Sequence, residues 1–371
     1  MTTAAKLKLC VITPTHWSHF MGGAQYQVKC ILEHLVPTAK YDITYLANRI
    51  APDFEPAGYQ LEKLGDPKPR WGYLVHALPM YRKLKALKPD VIYQRVAGGH
   101  TGISAWYAHH SNARMIWHVA HDGDVSPGRL VSGNPVRRFM DRAAIRYGAH
   151  HADTIVTQTR YQADLLREHY GREATAVIGN FHPLPAQAPD KSGPLTVVWV
   201  ANFKSWKQPA AFQRLAASLH ALPDVRFVMV GAAATGDADA DWSRRLLQQI
   251  ETTPNLDYLG GQSQDAVNEL LSRAHLFVNT SLHEGFANTF IQAWMREVPV
   301  VSLHVNPDGV FDDGSVGAYC GSEERLSQVV RELMEDHSRR SAMGACAYRY
   351  AVENHTVANV ARLEALIAGD L

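Results

Sequence analysis

The sequence has no long apolar run and few cysteines, and each absence excludes a class of protein. No apolar stretch approaches the roughly 18 residues that a membrane-spanning helix requires, and residues 1–8 lead directly into a β-prone segment, so we expect neither a membrane span nor a signal sequence. The four cysteines are far apart and form no C-x-x-C pair. We therefore expect a reduced, cytoplasmic setting in which Cys10, Cys30, Cys320 and Cys346 are buried thiols.

An excess of charge is also missing. The net charge is only +1, from 37 basic and 36 acidic residues, which gives no global reason to expect a nucleic-acid partner. Charged residues make up 20% of the chain and hydrophobic residues 46%, which is ordinary for a soluble globular protein. At 371 residues the chain is too long for one core and fits two domains of roughly 150 to 200 residues each. No short-period repeat or low-complexity segment occurs.

Apolar, β-prone segments alternate with helical patterns along the chain, which is typical of parallel α/β sheets. The predicted strands are 7–12, 43–46, 91–94, 115–119, 154–157, 176–180, 195–200, 225–230, 256–259, 276–278 and 299–302. The predicted helices are 28–35, 73–87, 134–147, 161–169, 209–220, 241–251, 266–273, 323–335, 338–353 and 358–368, with a further one near residue 288. Residues 51–70, rich in proline, glycine and charge, are predicted to form a loop.

A proline-rich segment divides the chain into two similar halves. Four prolines fall within HPLPAQAPDKSGP, which indicates a linker. The predicted organisation is an N-terminal domain at 1–182, a linker at 183–194, a C-terminal domain at 195–352, and a last helix within 353–371 that crosses back to the first domain. A cleft between two such domains is the default ligand site.

The most informative stretch is SLHEGFANTFIQAWMREVPVV, at 281–301. A polar loop with Glu284 and Gly285 follows a short strand, and Asn288 or Thr289 is predicted to cap the next helix. That helix must end before Pro299, because proline disfavours the helical conformation in the residue before it. Such a loop lies at the carboxyl end of a parallel strand, where α/β sheets bind ligands.

Paired glycines mark a second candidate site. Gly22 and Gly23 stand before a helical pattern, where they would let a ligand approach free amides at a helix N-terminus. A flexible turn is the alternative, because a full G-x-G-x-x-G is missing.

The run WHVAHDGD ends another predicted strand. His118 and His121 fall near its carboxyl end, followed by Asp122 and Asp124. Two carboxylates one residue apart can ligate a hard cation. Asp-Gly-Asp is also a common turn, and we prefer that interpretation.

The predicted helix at 134–147 is basic. The spacing of Arg137, Arg138, Arg142 and Arg146 puts most of these side chains on one side of the helix. They form either a solvated face or a patch that meets anionic lipid headgroups or an acidic acceptor. The second interpretation would place the protein at the inner face of the membrane.

Together these motifs resemble the retaining glycosyltransferases of family 4, which have the GT-B architecture. The signature of that family is two glutamates in a run like E-G-F-G-x-x-x-x-E-A, followed by a helix and G-x-P-V-V, and EGFANTFIQAWMREVPVV fits that frame. Supporting matches are GGAQ, the HD after the strand, ADTIVTQT, ANFKSWKQP and Leu259-Gly260. The resemblance covers nearly the whole chain. It implies an α/β fold of two Rossmann-like domains that face each other across a cleft.

The resemblance also implies a site for a nucleotide-diphospho-sugar donor on the C-terminal domain. Lys207 matches the phosphate-binding lysine of the family, and the amides around Asn288 and Thr289 match the helix terminus that holds the diphosphate. The usual arginine aligns with Asn202, and Lys204 is expected to replace its charge without its bidentate fork. The remaining donor contacts implied are Gly285, Phe286 and Ala287, with Gly22 and Gly23 closing on the diphosphate from the other domain.

Two further positions carry the expected chemistry. Glu284 matches the first family glutamate, which contacts the donor sugar hydroxyls and would favour a cationic ring. Gln292 replaces the second glutamate, so the ribose contact is expected to weaken by about 1 kcal/mol. His121 matches the histidine that faces the sugar, and His118 is a weaker candidate. Family members generally work without a metal, so Asp122 is expected to orient the loop, and no cofactor is expected.

The function implied is retaining transfer of a sugar to a hydroxyl of a sugar or lipid-linked acceptor, in glycan or polysaccharide biosynthesis. Because no enzymic nucleophile is visible, front-face attack with the leaving phosphate as base is favoured. Closure about the linker would bring the paired glycines to the diphosphate. Two alternatives remain. They are a sugar-nucleotide epimerase of the same architecture and a non-catalytic nucleotide-sugar-binding protein in which Asn202 and Gln292 mark a decayed site.

Overall fold

The computed structural model describes residues 5–65, 77–126, 135–222, 224–234 and 237–370. The chain divides into two compact units. The first unit comprises Met1–Asn180 and Val357–Leu371, and the second comprises Phe181–Thr356. The proline-rich segment 183–194 therefore lies in the second unit, and the last helix belongs to the first.

The first unit is built on a parallel sheet. Its described strands are β1 (Leu7–Thr15), β2 (Tyr41–Arg49), β3 (Gln60–Lys63), β4 (Val91–Arg95), β5 (Arg114–His118), β6 (Thr154–Thr157) and β7 (Ala176–Val177). They are ordered β3-β2-β1-β4-β5-β6-β7, and every neighbouring pair is parallel. All carboxyl ends therefore lie at one edge, and the strand order reverses direction beside β1.

Helices connect and cover these strands. They are α1 (Gly23–Leu35), α2 (Ala77–Leu87), α3 (Gly99–His109), α4 (Pro135–His151) and α5 (Arg160–Tyr170). Gly102 of α3 lies so close to α4 that a Cβ there would meet the Ala144 carbonyl oxygen at 2.8 Å. The missing side chain lets these two helices pack closely, and buried Met115, Trp117 and Ile145 fill the core beside them.

The second unit repeats the architecture. Its described strands are β8 (Leu195–Val200), β9 (Val225–Val230), β10 (Leu256–Tyr258), β11 (Leu276–Asn279), β12 (Val300–Ser302) and β13 (Gly317–Tyr319), in the parallel order β10-β9-β8-β11-β12-β13. Its helices are α6 (Pro209–Ser218), α7 (Asp237–Glu251), α8 (Gln264–Arg273), α9 (Asn288–Trp294), α10 (Glu323–Glu335) and α11 (His337–Asn354). The final helix, α12 (Ala358–Ala368), is part of the first unit.

An aromatic cluster anchors α9, the helix that follows the central motif. Phe290 and Trp294 are fully buried, and their rings contact the rings of Phe286 and Phe311 at centroid distances of 5.6 to 6.4 Å. Trp294 Nε1 also donates to the Val316 carbonyl at 3.0 Å. Aromatic pairs of this kind contribute about 0.5 to 1.5 kcal/mol each beyond area burial. The short helix is therefore fixed by packing and not by its length.

Within the described ranges, the structure contains three elements that were not predicted. Helix α3 was missed because its sequence, GHTGISAWYAH, has two glycines and is buried on most sides, which hides any helical period. Strand β3 lies inside the predicted loop 51–70, so that prediction is wrong at these four residues. Strand β13 has only three residues, too few for a pattern, and its structure comes from pairing with β12.

Several boundaries also differ. The strand predicted at 176–180 contains only Ala176–Val177. The N-cap of α9 is Ala287, so the prediction of Asn288 or Thr289 is wrong by one or two residues, and no side chain caps the helix. The helix ends at Trp294, before Pro299 as predicted. Parts of the predictions at 1–8, 51–70, 73–87 and 134–147 lie outside the described residues, namely 1–4, 66–70, 73–76 and 134.

The cysteines are free thiols. Cys10 and Cys30 are buried as expected, whereas Cys320 and Cys346 are partly exposed, so the expectation of four buried thiols is wrong for these two. Among the described residues, no helix combines the length and the apolar character needed to cross a membrane.

Candidate functional site

The loops that follow β8 and β11 are joined in the second unit, because these strands pair directly. Thr280 comes immediately after β11, and its hydroxyl accepts from Trp199 Nε1 at 2.9 Å. The same hydroxyl donates to the main-chain carbonyls of Lys207 and Gln208, at 2.7 and 3.0 Å. A buried tryptophan and a single threonine thus hold the two loops together.

Lys207 and Glu284 form an ion pair at this junction. Lys207 Nζ donates to Glu284 Oε1, and the same oxygen accepts from Ser281 Oγ at 2.7 Å. The side chains are 22% and 11% exposed, respectively. Because a partly buried charge is costly without a counter-charge, each side chain compensates the charge of the other and holds it in place. A ligand with an anion for the lysine and hydroxyl groups for the carboxylate can replace both halves of the pair.

Lys204 adds a second cation to this loop. Its Nζ lies 4.9 Å from the centre of the Trp206 ring, and that ring stacks on His283 with centroids 6.3 Å apart. Desolvation and then the charge of Lys207 lower the pKa of Lys204, although Glu284 acts in the opposite direction. Since Lys204 is an exposed residue, we attribute the lowered pKa of Lys204 mainly to repulsion between the two lysine charges. A bound anion would relieve this repulsion.

Asn202, where the family has arginine, closes a neighbouring loop. Its Oδ1 accepts from the Ala232 amide at 3.1 Å. The preceding residue, Gly231, has φ of +155°, and a Cβ there would lie 1.7 Å from the Ala201 carbonyl oxygen. Only glycine permits this approach. Asn202 therefore supports the loops after β8 and β9 through its amide oxygen.

The predicted donor contacts around the start of α9 divide into two kinds. Gly285, Phe286 and Ala287 are buried, and the Phe286 ring packs 4.6 Å from the His355 ring. Asn288 and Thr289 are partly exposed. The Asn288 side chain hydrogen-bonds His182.

Gln292 is held by helix α8. The side chain is 2% exposed, and Nε2 donates to Gln264 Oε1 at 3.0 Å and to Asn268 Oδ1 at 2.9 Å. With both amide hydrogens used in this way, Oε1 is the atom left to accept from a ligand.

The paired glycines begin α1 in the first unit. Gly22 is the N-cap, with extended backbone and no side-chain cap, and its carbonyl accepts from the Tyr26 amide at 2.9 Å. A Cβ on Gly22 would lie 2.7 Å from Gln25 Oε1 and 2.9 Å from the Phe20 ring. Gly23 is the first helical residue and is exposed.

His121 lies after β5 and has a defined tautomer. Its Nδ1 accepts from the Gly123 amide at 3.0 Å, which leaves the proton on Nε2. Asp124 accepts from the amides of Ala120 and His121, at 2.8 and 3.2 Å, while Asp122 accepts from a glutamine of α5 at 3.1 Å. Both carboxylates are thus occupied in holding the loop. No group of three or more His, Cys, Asp or Glu suited to a metal occurs in the part of the chain that the structure describes.

The structure gathers part of the predicted set. Glu284, Lys207 and Lys204 lie together, whereas Gly22 and His121 belong to the other unit. Sequence reasoning missed the residues that assemble the loops. Thr280 adjoins the stretch 281–301, whereas Ser281, His283 and Trp206 lie within the quoted motifs, where no role was assigned to them.

Family models match both halves of the chain. Residues 182–350 match the family Glycosyl transferases group 1, and residues 22–180 match the Glycosyl transferase 4-like domain. Both models describe glycosyltransferases, and the chain is a glycosyltransferase. The sequence comparison with curated proteins finds no match.

Solved glycosyltransferase structures show the same fold. A sucrose-phosphate synthase from Thermosynechococcus elongatus has a TM-score of 0.79 at 15% identity, over 98% of this chain and 99% of the synthase. Anabaena HepE in complex with UDP and glucose has a TM-score of 0.76 at 17% identity, over 98% and 100%. WaaG, a glycosyltransferase involved in lipopolysaccharide biosynthesis, has a TM-score of 0.75 at 16% identity, over 98% and 100%. The expected GT-B fold of this glycosyltransferase is confirmed.

Buried histidines predict how stability depends on pH. Burial lowers the pKa of His16 and His100 to about 4, and burial with the charges of Arg296 and His355 lowers that of His182 to about 3. Unfolded histidine titrates near 6.5, so the unfolded chain binds more protons between about 4 and 6.5. The contribution of these neutral histidines to the free energy of unfolding is therefore fully present above pH 6.5, and it is lost as the pH decreases through this window. Each such histidine accounts for about 2 kcal/mol between pH 7 and 5.

Urea unfolding at pH 7 and 5 tests this. His100→Gln should flatten the pH dependence by about the amount of one histidine, because glutamine does not titrate. The exposed His169→Gln, in the same unit, serves as the control and should leave it unchanged. An unaltered slope in His100→Gln would show that His100 is not held neutral in the folded chain.

Proposed function

We propose that this glycosyltransferase moves a sugar from a nucleotide-diphospho-sugar to a hydroxyl of a sugar or lipid-linked acceptor, with retention, in glycan or polysaccharide biosynthesis. The observation that carries the proposal is the Lys207–Glu284 pair beside Lys204. Two cations and one carboxylate match a ligand that has a diphosphate next to a polyhydroxylated ring. HepE binds UDP and glucose, as its structure is described, which supports a donor of this class.

Donor binding would exchange partners within the pair. The diphosphate takes Lys207 from Glu284, and the sugar hydroxyls take the carboxylate, so that no charge is left without a partner. The bond between the anomeric carbon and the phosphate oxygen breaks, and its electrons move to the phosphate. Lys207 and Lys204 stabilise that growing negative charge, which is the largest contribution expected in such a reaction. Glu284 favours the positive charge that develops on the ring.

The acceptor oxygen then attacks from the face that the phosphate leaves, and its proton passes to the leaving phosphate. No enzymic nucleophile is needed for this route. We assign the sugar-facing role to His121, whose Nε2–H is the donor in its tautomer. Gly22 and Gly23 are proposed to contact the diphosphate through their main-chain amides. The two lysines supply the positive charge that a metal would otherwise bring, so the reaction is proposed to need no metal and no cofactor.

Loss of either half of the pair should abolish most nucleotide release. Lys207→Met and Glu284→Gln are each expected to lower turnover by about 100-fold or more, because each removes an interaction that strengthens in the transition state. The donor is first identified by a thermal-shift screen of nucleotide diphosphates and their sugars, and turnover is then measured as nucleoside diphosphate released.

The Arg214–Glu323 pair on the surface of the same unit provides the matched control, since its side chains are 55% and 43% exposed. Arg214→Met and Glu323→Gln should retain activity. Normal turnover in Lys207→Met or Glu284→Gln would remove that residue from the site. Donor binding without turnover against a broad acceptor panel would instead favour a non-catalytic binding protein.

Gln292 is proposed to accept a hydrogen bond from the donor ribose through Oε1. Gln292→Glu should tighten nucleotide binding about 5-fold, since a charged acceptor strengthens the bond by about 1 kcal/mol. Gln264 and Asn268 can turn their amide groups to donate to the new carboxylate. Titration calorimetry with the nucleoside diphosphate measures the effect. Gln248→Glu adds the same charge on an exposed position and should change nothing, whereas equal or weaker binding by Gln292→Glu contradicts the ribose contact.

We propose that the protein is cytoplasmic and that helix α4 binds anionic lipids at the inner face of the membrane. Phe139 and Val136 are 73% and 59% exposed, and they stand beside arginines at positions 138, 142 and 146. Exposed apolar side chains next to basic ones match a surface with anionic headgroups above an apolar layer. Arg137 contributes least, because it pairs with Asp141 at 3.5 Å.

Vesicle flotation tests the membrane contact. The protein should float with phosphatidylcholine vesicles that contain phosphatidylglycerol, and not with phosphatidylcholine alone, and salt should weaken the binding. Exchange of Arg138, Arg142 and Arg146 for glutamine should abolish it. The same exchange at three exposed arginines of the second unit, Arg244, Arg245 and Arg273, matches the change in net charge and should not. Equal loss in both triple variants would show only a general charge effect.

A further inference from the structure

Arg95 is the last residue of β4, and its side chain is fully buried. Nη2 donates to Asn180 Oδ1 at 2.7 Å, and Nη1 lies 3.5 Å from the Tyr93 hydroxyl and 3.4 Å from His118 Nδ1. Nε has no hydrogen-bond partner among the described residues. All four residues belong to the first unit. A buried guanidinium is thus surrounded by an amide, a phenol and an imidazole.

None of these neighbours supplies a negative charge. Burial raises the pKa of Tyr93, although Arg95 acts in the opposite direction, so the phenol stays protonated. Burial and the charge of Arg95 lower the pKa of His118 well below its ordinary value, although a hydrogen bond with the Ile178 main chain acts in the opposite direction, so the imidazole is neutral. Within the described ranges, no ion pair includes Arg95. A buried charge without compensation costs several kcal/mol.

A second buried arginine shows how such a charge is otherwise accommodated in this chain. Arg340, in the second unit, donates through Nη1 to the carbonyls of Leu333 and Met334, at 2.5 and 3.0 Å. These carbonyls lie at the C-terminal end of α10, where the helix dipole is negative. Arg95 has no such helix end among its partners.

His118 brings an additional donor to the same place. Its Nδ1 lies 2.8 Å from the Tyr93 hydroxyl, and the imidazole also hydrogen-bonds the main chain of Ile178. Because Arg95 donates to the phenol oxygen, the phenol hydrogen goes to Nδ1 and the imidazole proton resides on Nε2. Arg95 and His118 stand opposite each other on β4 and β5. Arg95 Nε–H, which has no partner among the described residues, and the imidazole N–H of His118 therefore lie at the ends of neighbouring strands.

The backbone beside Arg95 is strained. Val96 has φ of +70°, which is rarely adopted by a β-branched residue. Its carbonyl is the acceptor for the Gln94 side chain and lies 3.0 Å from His100 Nε2, so two buried side chains hold this conformation. Backbone strain of this kind persists where the surroundings enforce it, and it concentrates at functional sites.

We propose that Arg95 and His118 form a binding site for an oxyanion, either a phosphate or a carboxylate group, at the carboxyl edge of the first sheet. Nε–H of Arg95 and Nε2–H of His118 are the two donors, and the guanidinium supplies the charge. The anion has two sources: a free ion, or the acid group of a small sugar acceptor. Only the second source rests on the proposed transfer reaction.

Burial determines how the site behaves. The Arg95 side chain has no exposed surface, so an anion enters only when neighbouring side chains move. Once bound, the anion is desolvated and compensates a charge that otherwise has no counter-charge, so binding should stabilise the folded chain in proportion to its occupancy. An electrostatic contact of this kind is stronger inside the protein than at its surface.

The test is a thermal-shift titration with inorganic phosphate, compared with sodium chloride at equal ionic strength. Because Lys207 can also attract phosphate, the parent for this experiment is the full chain with Lys207→Met. Its melting temperature should rise by about 5 °C at saturating phosphate. Added Arg95→Gln should remove the rise, while the exposed Arg160→Gln in the same unit should keep it.

Asn180→Asp is the second variant, and it does not remove the arginine. It places a carboxylate at the position 2.7 Å from Arg95 Nη2 and thus supplies an internal counter-charge. We expect a higher melting temperature without phosphate and no further rise with it. The proposal is overturned if phosphate does not stabilise the parent, or if it stabilises Arg95→Gln or Asn180→Asp as much as the parent.

The source of the anion is decided by three sugars. Glucose 6-phosphate and glucuronate should stabilise the parent at lower concentrations than inorganic phosphate or acetate if the anion belongs to an acceptor, and neutral glucose should not. Equal potency of the sugar acids and the simple ions assigns the site to a free anion. These measurements contain no sugar donor, so they do not depend on transfer activity. Failure of the anion site can therefore be distinguished from failure of the proposed function.

Discussion

The pairing of β8 with β11 is the constraint on which the candidate site depends. Parallel strands end at the same edge of a sheet, so the loops that follow these two strands must meet. The Thr280 hydroxyl then fixes one loop to the carbonyls of the other. Lys207 and Glu284 are 77 residues apart in the sequence, and this arrangement alone brings them into contact. The aromatic packing of α9 holds the next part of the motif in register with them.

Both units have positive charge at the carboxyl edge of the sheet. In the second unit Lys204 adds a cation beside a pair that is already balanced. In the first unit Arg95 lies buried among neutral groups. The chain as a whole carries a net charge of only +1, so neither feature is visible in the composition. Positive charge that is already in place stabilises negative charge without reorganisation, which is what transfer from a diphosphate requires.

Most of the fold could be predicted because strands buried on both faces form continuous apolar runs, as in LTVVWV of β8, and surface helices keep a clear period, as in α10. Helix α3 escaped prediction because burial on most sides removes that period. Strands β3 and β13 are short, and their conformation depends on partners that are distant in sequence. Within the site, motif spacing identified Lys207 and Glu284, but no local signal marks Thr280 or Ser281 as the residues that join them.

The sequence by itself determined that the chain has two parallel α/β halves, and it singled out EGFANTFIQAWMREVPVV with its glutamine in place of an acid. Only the tertiary structure decided which polar atoms are already used. The Asn202 side-chain oxygen accepts a hydrogen bond from a neighbouring loop, and the Gln292 amide hydrogens are donated to side chains of α8. Arg95 is an ordinary basic residue in the sequence, whereas in the fold it is a buried charge with no ion-pair partner among the residues that the structure describes. The reason is that hydrogen-bond partners and burial come from segments far apart in the chain, and folding alone brings these segments together.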